Sequence, residues 1–431
     1  MASRGDIDFQ KVQPILHKKW DTIPFEVSLE KTPKYIKHKT KGLALSGTFP
    51  VVDQGEDLIS GYIEDAEKIY QGKLPIVIFG DHTRIIKYVD FQFAVGADGT
   101  KILKPNENFN SKFFFHYLKA LSIPDLGYSR HYKILKEVKI PLPPRPEQDR
   151  IVAKVDTLMA QVATMQKSLE HIPQLLKDFR QQVLTQAVTG KLTEEWREGK
   201  QLNDWKVEFA KDCCEKVQSG GTPRGSNFAE SGIPFFKVYN IVNQQISFDY
   251  KPQFISEEIQ NSQCKKSICF PNDVLMNIVG PPLNKVAIVP EEFPECNINQ
   301  AITLFRVKEC LNNKFLYYFL CEGSSVNKLV NETRGVVGQV NISLTQCRSF
   351  EIPIPPIEEQ EEIVRRVESL FTKADAIEQQ YQSLKTKIDT LPQAILHKAF
   401  KGELVAQLDS DGDAVNLLKE IEELKKNKGR K

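Results

Sequence analysis

Residues 140–156 read IPLPPRPEQDRIVAKVD, and residues 352–368 read IPIPPIEEQEEIVRRVE. The same phrase stands twice, 352 − 140 = 212 residues apart. In both copies a proline-rich step runs straight into a charged stretch. Proline has no N–H and biases the residue before it toward extended backbone, so the step ends a strand and delays the helix. The helices are predicted to begin at Arg145-Pro146 and at Ile357-Glu358, where the acids that follow suit the positive end of a helix. A duplicated hinge implies a duplicated architecture, and a repeat missed at this stage miscasts the whole fold.

The offset holds without a gap along both copies. Glu147, Gln148, Ile151, Val152, Val155 and Leu158 map onto Glu359, Gln360, Ile363, Val364, Val367 and Leu370. Farther on, VLTQAVTGKL (183–192) maps onto ILHKAFKGEL (395–404), with Gly190 on Gly402 as C-terminal stops. Apolar residues in the first copy fall at Ile151, Val155, Leu158, Val162, Met165, Leu169, Ile172, Leu176, Phe179 and Val183. In the second they fall at Ile363, Val367, Leu370, Ala374, Ile377, Tyr381, Leu384, Ile388, Leu391 and Ile395. Steps of four and three alternate throughout, which is the seam of a coiled coil. Each helix is expected to run for about 40 residues, or about 60 Å. Pro173 and Pro392 lie inside the pattern and predict a kink or break near each. Two helices of equal length and heptad phase in one chain pair most economically with each other. Antiparallel pairing relates their two globular domains by a pseudo-twofold axis.

The expected organisation is α+β (mixed α/β), a tandem repeat of head and spacer helix. Residues 1–139 form the first head, 140–192 the first spacer helix and 193–204 a linker. Residues 205–351 form the second head, 352–404 the second spacer helix and 405–431 a charged C-terminal helix or tail. Both heads open on a tryptophan, Trp20 or Trp205, continue as short strands broken by turns, and carry a late aromatic helical stretch, SKFFFHYLKAL or NKFLYYFLCEG.

The 431-residue chain is 41% hydrophobic and 26% charged with a net charge of +2, so it lacks the strongly basic footprint of many nucleic-acid binders. No apolar run reaches the length of a membrane span, and MASRGDIDFQ has no secretory pattern, so the expected compartment is the cytoplasm. The eight cysteines lie between Cys213 and Cys347 without a C-x-x-C pair, and are expected to be reduced and mostly buried. No nucleotide-binding P-loop, no H-E-x-x-H and no cluster with metal-ligand spacing is present. VGPPLNK (279–285) lacks the flanking residues of an adenine-methyltransferase Pro-Pro turn. A duplicated scaffold without a reaction centre reads as a binding or assembly module. No cofactor and no metal are expected on the chain itself.

These features resemble the specificity subunit of type I restriction–modification systems. The resemblance is carried by the doubled I-P-[LI]-P-P-x-x-E-Q step, the long heptad helices, and the L-x-x-A-x-x-G-x-L ends at Leu184–Leu192 and Leu396–Leu404. In the second head, SGGTPRG (219–225), IPFFKVYNI and NISL (341–344) are similar to that family's target-recognition domains. The first head has SGTFPVVDQGEDLISGY in place of the Gly-Gly-Thr-Pro stretch, and Arg130-His131-Tyr132 near where the second has Gln339-Val340-Asn341. The resemblance implies double-stranded DNA as ligand, each head reading one half of a bipartite asymmetric target. It implies two modification (adenine methyltransferase) subunits docked on the helices, with restriction (translocase–nuclease) subunits joining through them. S-adenosylmethionine and ATP/Mg would belong to those partners. Fusing two diverged heads escapes the palindromic target that a dimer of identical readers requires.

Base readers are expected among loop Arg, Asn, Gln and Lys residues. The candidates are Lys37, Lys39, Arg84, Arg130 and His131 in the first head, and Thr222, Arg224, Arg334, Gln339 and Asn341 in the second. KTPKYIKHKTK (31–41), with five lysines and no acid, also suits phosphate contact. Two rivals from other classes stand beside this reading. One is a non-catalytic coiled-coil scaffold whose heads bind proteins or other ligands, separable by salt-sensitive binding to duplex DNA. The other is a self-contained methyltransferase, separable by S-adenosylmethionine binding to the isolated chain.

Overall fold

The computed structural model of the chain describes residues 8–96, 99–127, 129–224, 228–332 and 341–412. Helices and strands are mixed, and the chain forms two compact units. One comprises Met1–Glu170 with Ser383–Lys431, the other His171–Gln382. These units cut across the consecutive segments expected from sequence, because each spacer helix is shared between them.

In the first unit, strand Asp21–Pro24 pairs antiparallel with Lys139–Leu142, the strand that ends in the proline step. Strand Ile76–Gly80, buried at every position, lies between Ile86–Val89 and Thr100–Leu103, antiparallel to both. A four-stranded sheet places Ala94–Gly96 between Lys37–His38 and Phe49–Val52, parallel to each, with Gly61–Ile63 on the far side of Phe49–Val52. Helix Ser111–Ala120 is capped by Asn110, whose side chain accepts from Lys112 N and Phe113 N.

The second unit repeats this plan. Strand Lys206–Phe209 pairs with Glu351–Ile354. Val274–Asn277 lies between Val286–Ile288 and Ile302–Val307, and Ile233–Phe236 runs parallel to Asn297–Ile298. Helix Asn313–Glu322 is capped by Asn312 through Lys314 N and Phe315 N.

The first spacer is two helices, Arg145–Leu169 and Ile172–Val188, broken two residues ahead of Pro173 as its sequence predicts. The second is one helix, Ile357–Phe400, which continues through Pro392 without a break. Proline there forfeits one backbone hydrogen bond, while buried Ile388 and Leu396 anchor the turns on either side of it. The far ends of the spacers complete the head cores. In the first unit Leu396, Ala399 and Phe400 join Phe113 and Tyr117, the Phe400 ring lying 5.4 Å and 5.0 Å from those two. In the second, Val183, Leu184 and Ala187 pack into the core with Phe315 and Leu316.

Helix pairing is antiparallel within each unit. In the first, Gln166 Nε2 donates to Asp389 Oδ1 at 3.2 Å and Gln407 Nε2 to Glu147 Oε1 at 2.8 Å. In the second, Arg180 bridges Asp375 at 2.6 Å and Glu378 at 2.9 Å, and Arg366 donates to Leu192 O at 2.9 Å. The seam is unevenly covered. Ile151, Val155, Val162, Ile363, Val367 and Ile388 are buried and Leu158, Leu169 and Leu370 half-buried. Met165, Ile377 and Leu384 are exposed, at 39%, 49% and 47%, because head cores pack onto the seam only near its ends.

The doubled E-Q pair joins head to helix. Glu147 receives Trp20 Nε1 at 3.1 Å, and Glu359 receives Trp205 Nε1 at 2.9 Å. Gln148 accepts from Asn110 N at 2.8 Å and donates to Asn108 O and Pro143 O. Gln360 does the same with Asn312 N at 2.7 Å, Cys310 O and Pro355 O. Each glutamine thereby ties the proline step to the cap of the aromatic helix. Residues 193–204 are more than a connector, since Thr193 Oγ1 donates to Glu359 at 2.7 Å and Arg197 also binds that carboxylate. The described part of the tail, 405–412, acts likewise on the first unit, with Gln407 on Glu147 and Arg150 paired to Asp411.

Candidate nucleic-acid interface

Parallel strands end together, so their outgoing loops gather at one edge of each head. In the first head that edge receives Lys37–His38, the loop after Val52, Gly99 and the 81–84 turn. Gln54 cross-braces it, accepting from His82 N at 3.1 Å through Oε1 and from Thr83 Oγ1 at 2.6 Å through its carbonyl. Asp81 N donates to Gly99 O at 2.8 Å. Lys87 lies 3.7 Å from Asp53, and Lys101 3.7 Å from Asp81, so the acids of this edge are matched by cations. Burial pushes the Lys87 ammonium below its usual range, against the opposing pull of Asp53.

Lys37, Lys39 and Arg130 are exposed at this edge. Two other candidates are committed elsewhere. Arg84, in a left-handed turn at φ 64°, pairs with Asp125 at 2.7 Å and donates to Ile123 O, bracing the turn. His131 is fully buried. Its Nε2 accepts from Leu126 N at 3.0 Å, which leaves Nδ1 to donate to Asp81 O at 3.0 Å. Both ring nitrogens are engaged, so His131 is a structural residue and not a surface contact.

In the second head, Thr222, Arg224 and Asn341 are exposed, while Arg334 and Gln339 lie outside the described residues. Thr222 Oγ1 bonds Gln300 Oε1, and Arg224 N donates to Gln263 Oε1 at 2.9 Å. Gln300 is an exposed edge residue that sequence reasoning missed; in NINQA nothing but its polarity marks it.

Backbone pairing corrects the register assumed between the heads. Val52 pairs with Val95 and Phe236 with Ile298; on the other side of these strands, Lys37 pairs with Val95 and Gly221 N donates to Ile298 O. In a parallel pair, Gly221 N–H on Ile298 O sets Gly220 opposite Ile298 as Lys37 is opposite Val95, so the offsets, 236 − 52 = 184 and 220 − 37 = 183, differ by one residue. The counterpart of the Gly-Gly-Thr-Pro stretch is therefore the lysine-rich 37–40 segment, not SGTFPVVDQGEDLISGY, whose Phe49–Val52 matches Ile233–Phe236. The second alignment shifts by two. Asp81 and Ile278 each donate N–H to a facing carbonyl, Gly99 O or Ala301 O, and accept from His131 N or Ile342 N, all at 2.8 Å. Arg130 therefore matches Asn341.

Among the described residues, no three His, Cys, Asp or Glu side chains gather as a metal site, and no helix is long and apolar enough to cross a membrane. The cysteines are free thiols, six of them buried, with Cys321 half-buried and Cys310 exposed.

Two heads of one plan but different edge chemistry, each closed onto an antiparallel helix pair, define a duplicated recognition scaffold. The family model for the type I restriction modification DNA specificity domain matches residues 25–174 and again 203–386. The chain is 32% identical over 372 residues to the type I restriction enzyme EcoBI specificity subunit of Escherichia coli, spanning 81% of this chain and 77% of that one. It is 29% identical over 367 residues to the EcoKI specificity subunit of E. coli K12, spanning 80% and 77%. The crystal structure of the HsdS subunit from Thermoanaerobacter tengcongensis shares the fold, with a TM-score of 0.58 at 21% identity over 90% of this chain and 98% of that one. A chain from a study of type I R-M assembly and conformational transition gives 0.64 at the same identity, over 90% and 100%. The chain belongs to the type I restriction–modification specificity subunits. It is a non-catalytic DNA-recognition component.

Proposed function

We propose that each head binds one half of a bipartite, asymmetric sequence in double-stranded DNA, while the paired helices fix the gap between the halves. The helices dock two adenine methyltransferase subunits, and restriction subunits join through these. The chain carries no cofactor; S-adenosylmethionine and ATP/Mg act on the partners, in the cytoplasm. The observation that carries this reading is the repetition of one head topology with divergent edges, Lys37, Lys39 and Arg130 in one and Thr222, Arg224 and Asn341 in the other. The exposed seam residues Met165, Ile377 and Leu384 support docking on the helices. The test is to map methylated adenines in DNA treated with the chain and its modification subunits. The expected motif is split and asymmetric. A palindromic or continuous motif would overturn the proposal.

A further inference from the structure

The matched backbone positions in the two heads allow individual readers to be compared. Residues 130 and 341 each precede a buried residue, His131 or Ile342, whose N–H is held at 2.8 Å by the first carbonyl beyond the central strand of the hairpin. Their offset is 341 − 130 = 211, one less than in the spacers. The extra residue of the second head is Ser343, between Ile342 and the short helix, because the helix starts, Tyr132 and Leu344, already differ by 344 − 132 = 212. Position 130/341 is thus fixed by backbone on a braced edge. Both side chains are exposed, and among the described residues neither has a hydrogen-bond or ion-pair partner. An edge residue with an anchored backbone and an uncommitted side chain is suited to meet a base, because its backbone is already ordered and its side-chain hydrogen-bonding groups are free to turn to a partner. The neighbouring candidates Arg84 and His131 lack that freedom.

Building on the two-reader function proposed above, we infer that Arg130 and Asn341 are equivalent base-reading residues, Arg130 reading a guanine in the first half-site and Asn341 an adenine in the second. The chemistry differs as the side chains do. A guanidinium offers two N–H groups to guanine O6 and N7, whereas a carboxamide donates to adenine N7 and accepts from its N6 amino group. The heads share a docking geometry and differ at this position in the base they accept.

The experiment uses the full chain assembled with its modification subunits and a DNA library randomised over both half-sites. Arg130→Asn shifts one position of one half-site from G toward A, roughly 5- to 150-fold in preference, and leaves the other half-site unchanged. Asn341→Arg makes the opposite change in the other half-site. Arg130→Ala and Asn341→Ala, which introduce no new reader, lose discrimination at the same two positions. A split wild-type motif whose base preferences survive all four substitutions would overturn the assignment, as would a uniform loss of binding to every sequence, which marks a phosphate contact. If the wild-type complex yields no split motif, the two-reader function itself falls.

Discussion

Trp205 Nε1 donates to Glu359 Oε2 at 2.9 Å, so the first residue of the second head is hydrogen-bonded to the first turn of the helix that leaves it. Trp20 and Glu147 repeat the bond at 3.1 Å, but the two carboxylates keep different company. Glu147 is held by neutral donors, Trp20 and Gln407, and burial raises its pKa above the usual carboxylate value. Glu359 also receives the Arg197 guanidinium. Glu147→Gln should therefore cost about 1 kcal/mol or less, because it exchanges one acceptor for relief from a buried charge. Glu359→Gln should cost about 2–3 kcal/mol, discounted because Arg197 is 40% exposed and can turn to water. Urea unfolding of both variants checks the ranking.

The helix stops should differ in tolerance. Gly190 and Gly402 sit at φ +78° and +79°, the left-handed region that costs an alanine about 1–2 kcal/mol. A Cβ on Gly402 would lie 2.5 Å from the His17 ring, whereas one on Gly190 would meet Arg197 and Trp205 at 3.1 Å. Gly402→Ala should lower the melting temperature more than Gly190→Ala; the reverse order would show that His17 yields freely.

Acid should release the second helix pair. Arg365 and then Arg366 hold the Glu362 carboxyl down from 4.5 to about 2, and Arg366 also reaches Leu192 O. A depressed carboxyl pKa contributes stability that is present above the unfolded value and lost as pH falls through the folded one. Between pH 4.5 and 2 the wild type should lose more stability than Glu362→Gln, with the two curves converging at the acid end, as thermal melts across that range would record.

Much of this architecture was legible because the repeat is a backbone device. Proline positions, heptad steps and αL glycines are dictated by sterics and burial that sequence displays directly. The E-Q pair was visible as a motif, but its function was not. A tryptophan 147 − 20 = 127 residues away in one copy and 359 − 205 = 154 in the other leaves no fixed spacing to read. The edge register was misaligned for a related reason. Lys37 and Gly220 share a place through backbone pairing, which is indifferent to side-chain identity. His131 misled because a polar residue in a loop can turn inward once both ring nitrogens find partners.

If the helices act as a ruler, trimming them should reset the gap. Removing residues 162–168 and 374–380 takes one heptad from each spacer and keeps the seam in phase. Seven residues amount to about 10 Å of helix, or about 3 base pairs of duplex at 3.4 Å each. Methylation of a library with varied gaps should favour a shorter gap, adjusted for DNA twist. A well-folded variant that keeps the original gap would assign the spacing to the partner subunits.

The central claim is that one chain holds two independent readers. Its most direct measurement is methylated-adenine mapping by the assembled complex after residues 20–139 are exchanged for the first head of another specificity subunit. The account predicts that one half of the recognised sequence changes while the other half, read by residues 205–351, stays as it was. A change in both halves together, or in neither, would contradict it.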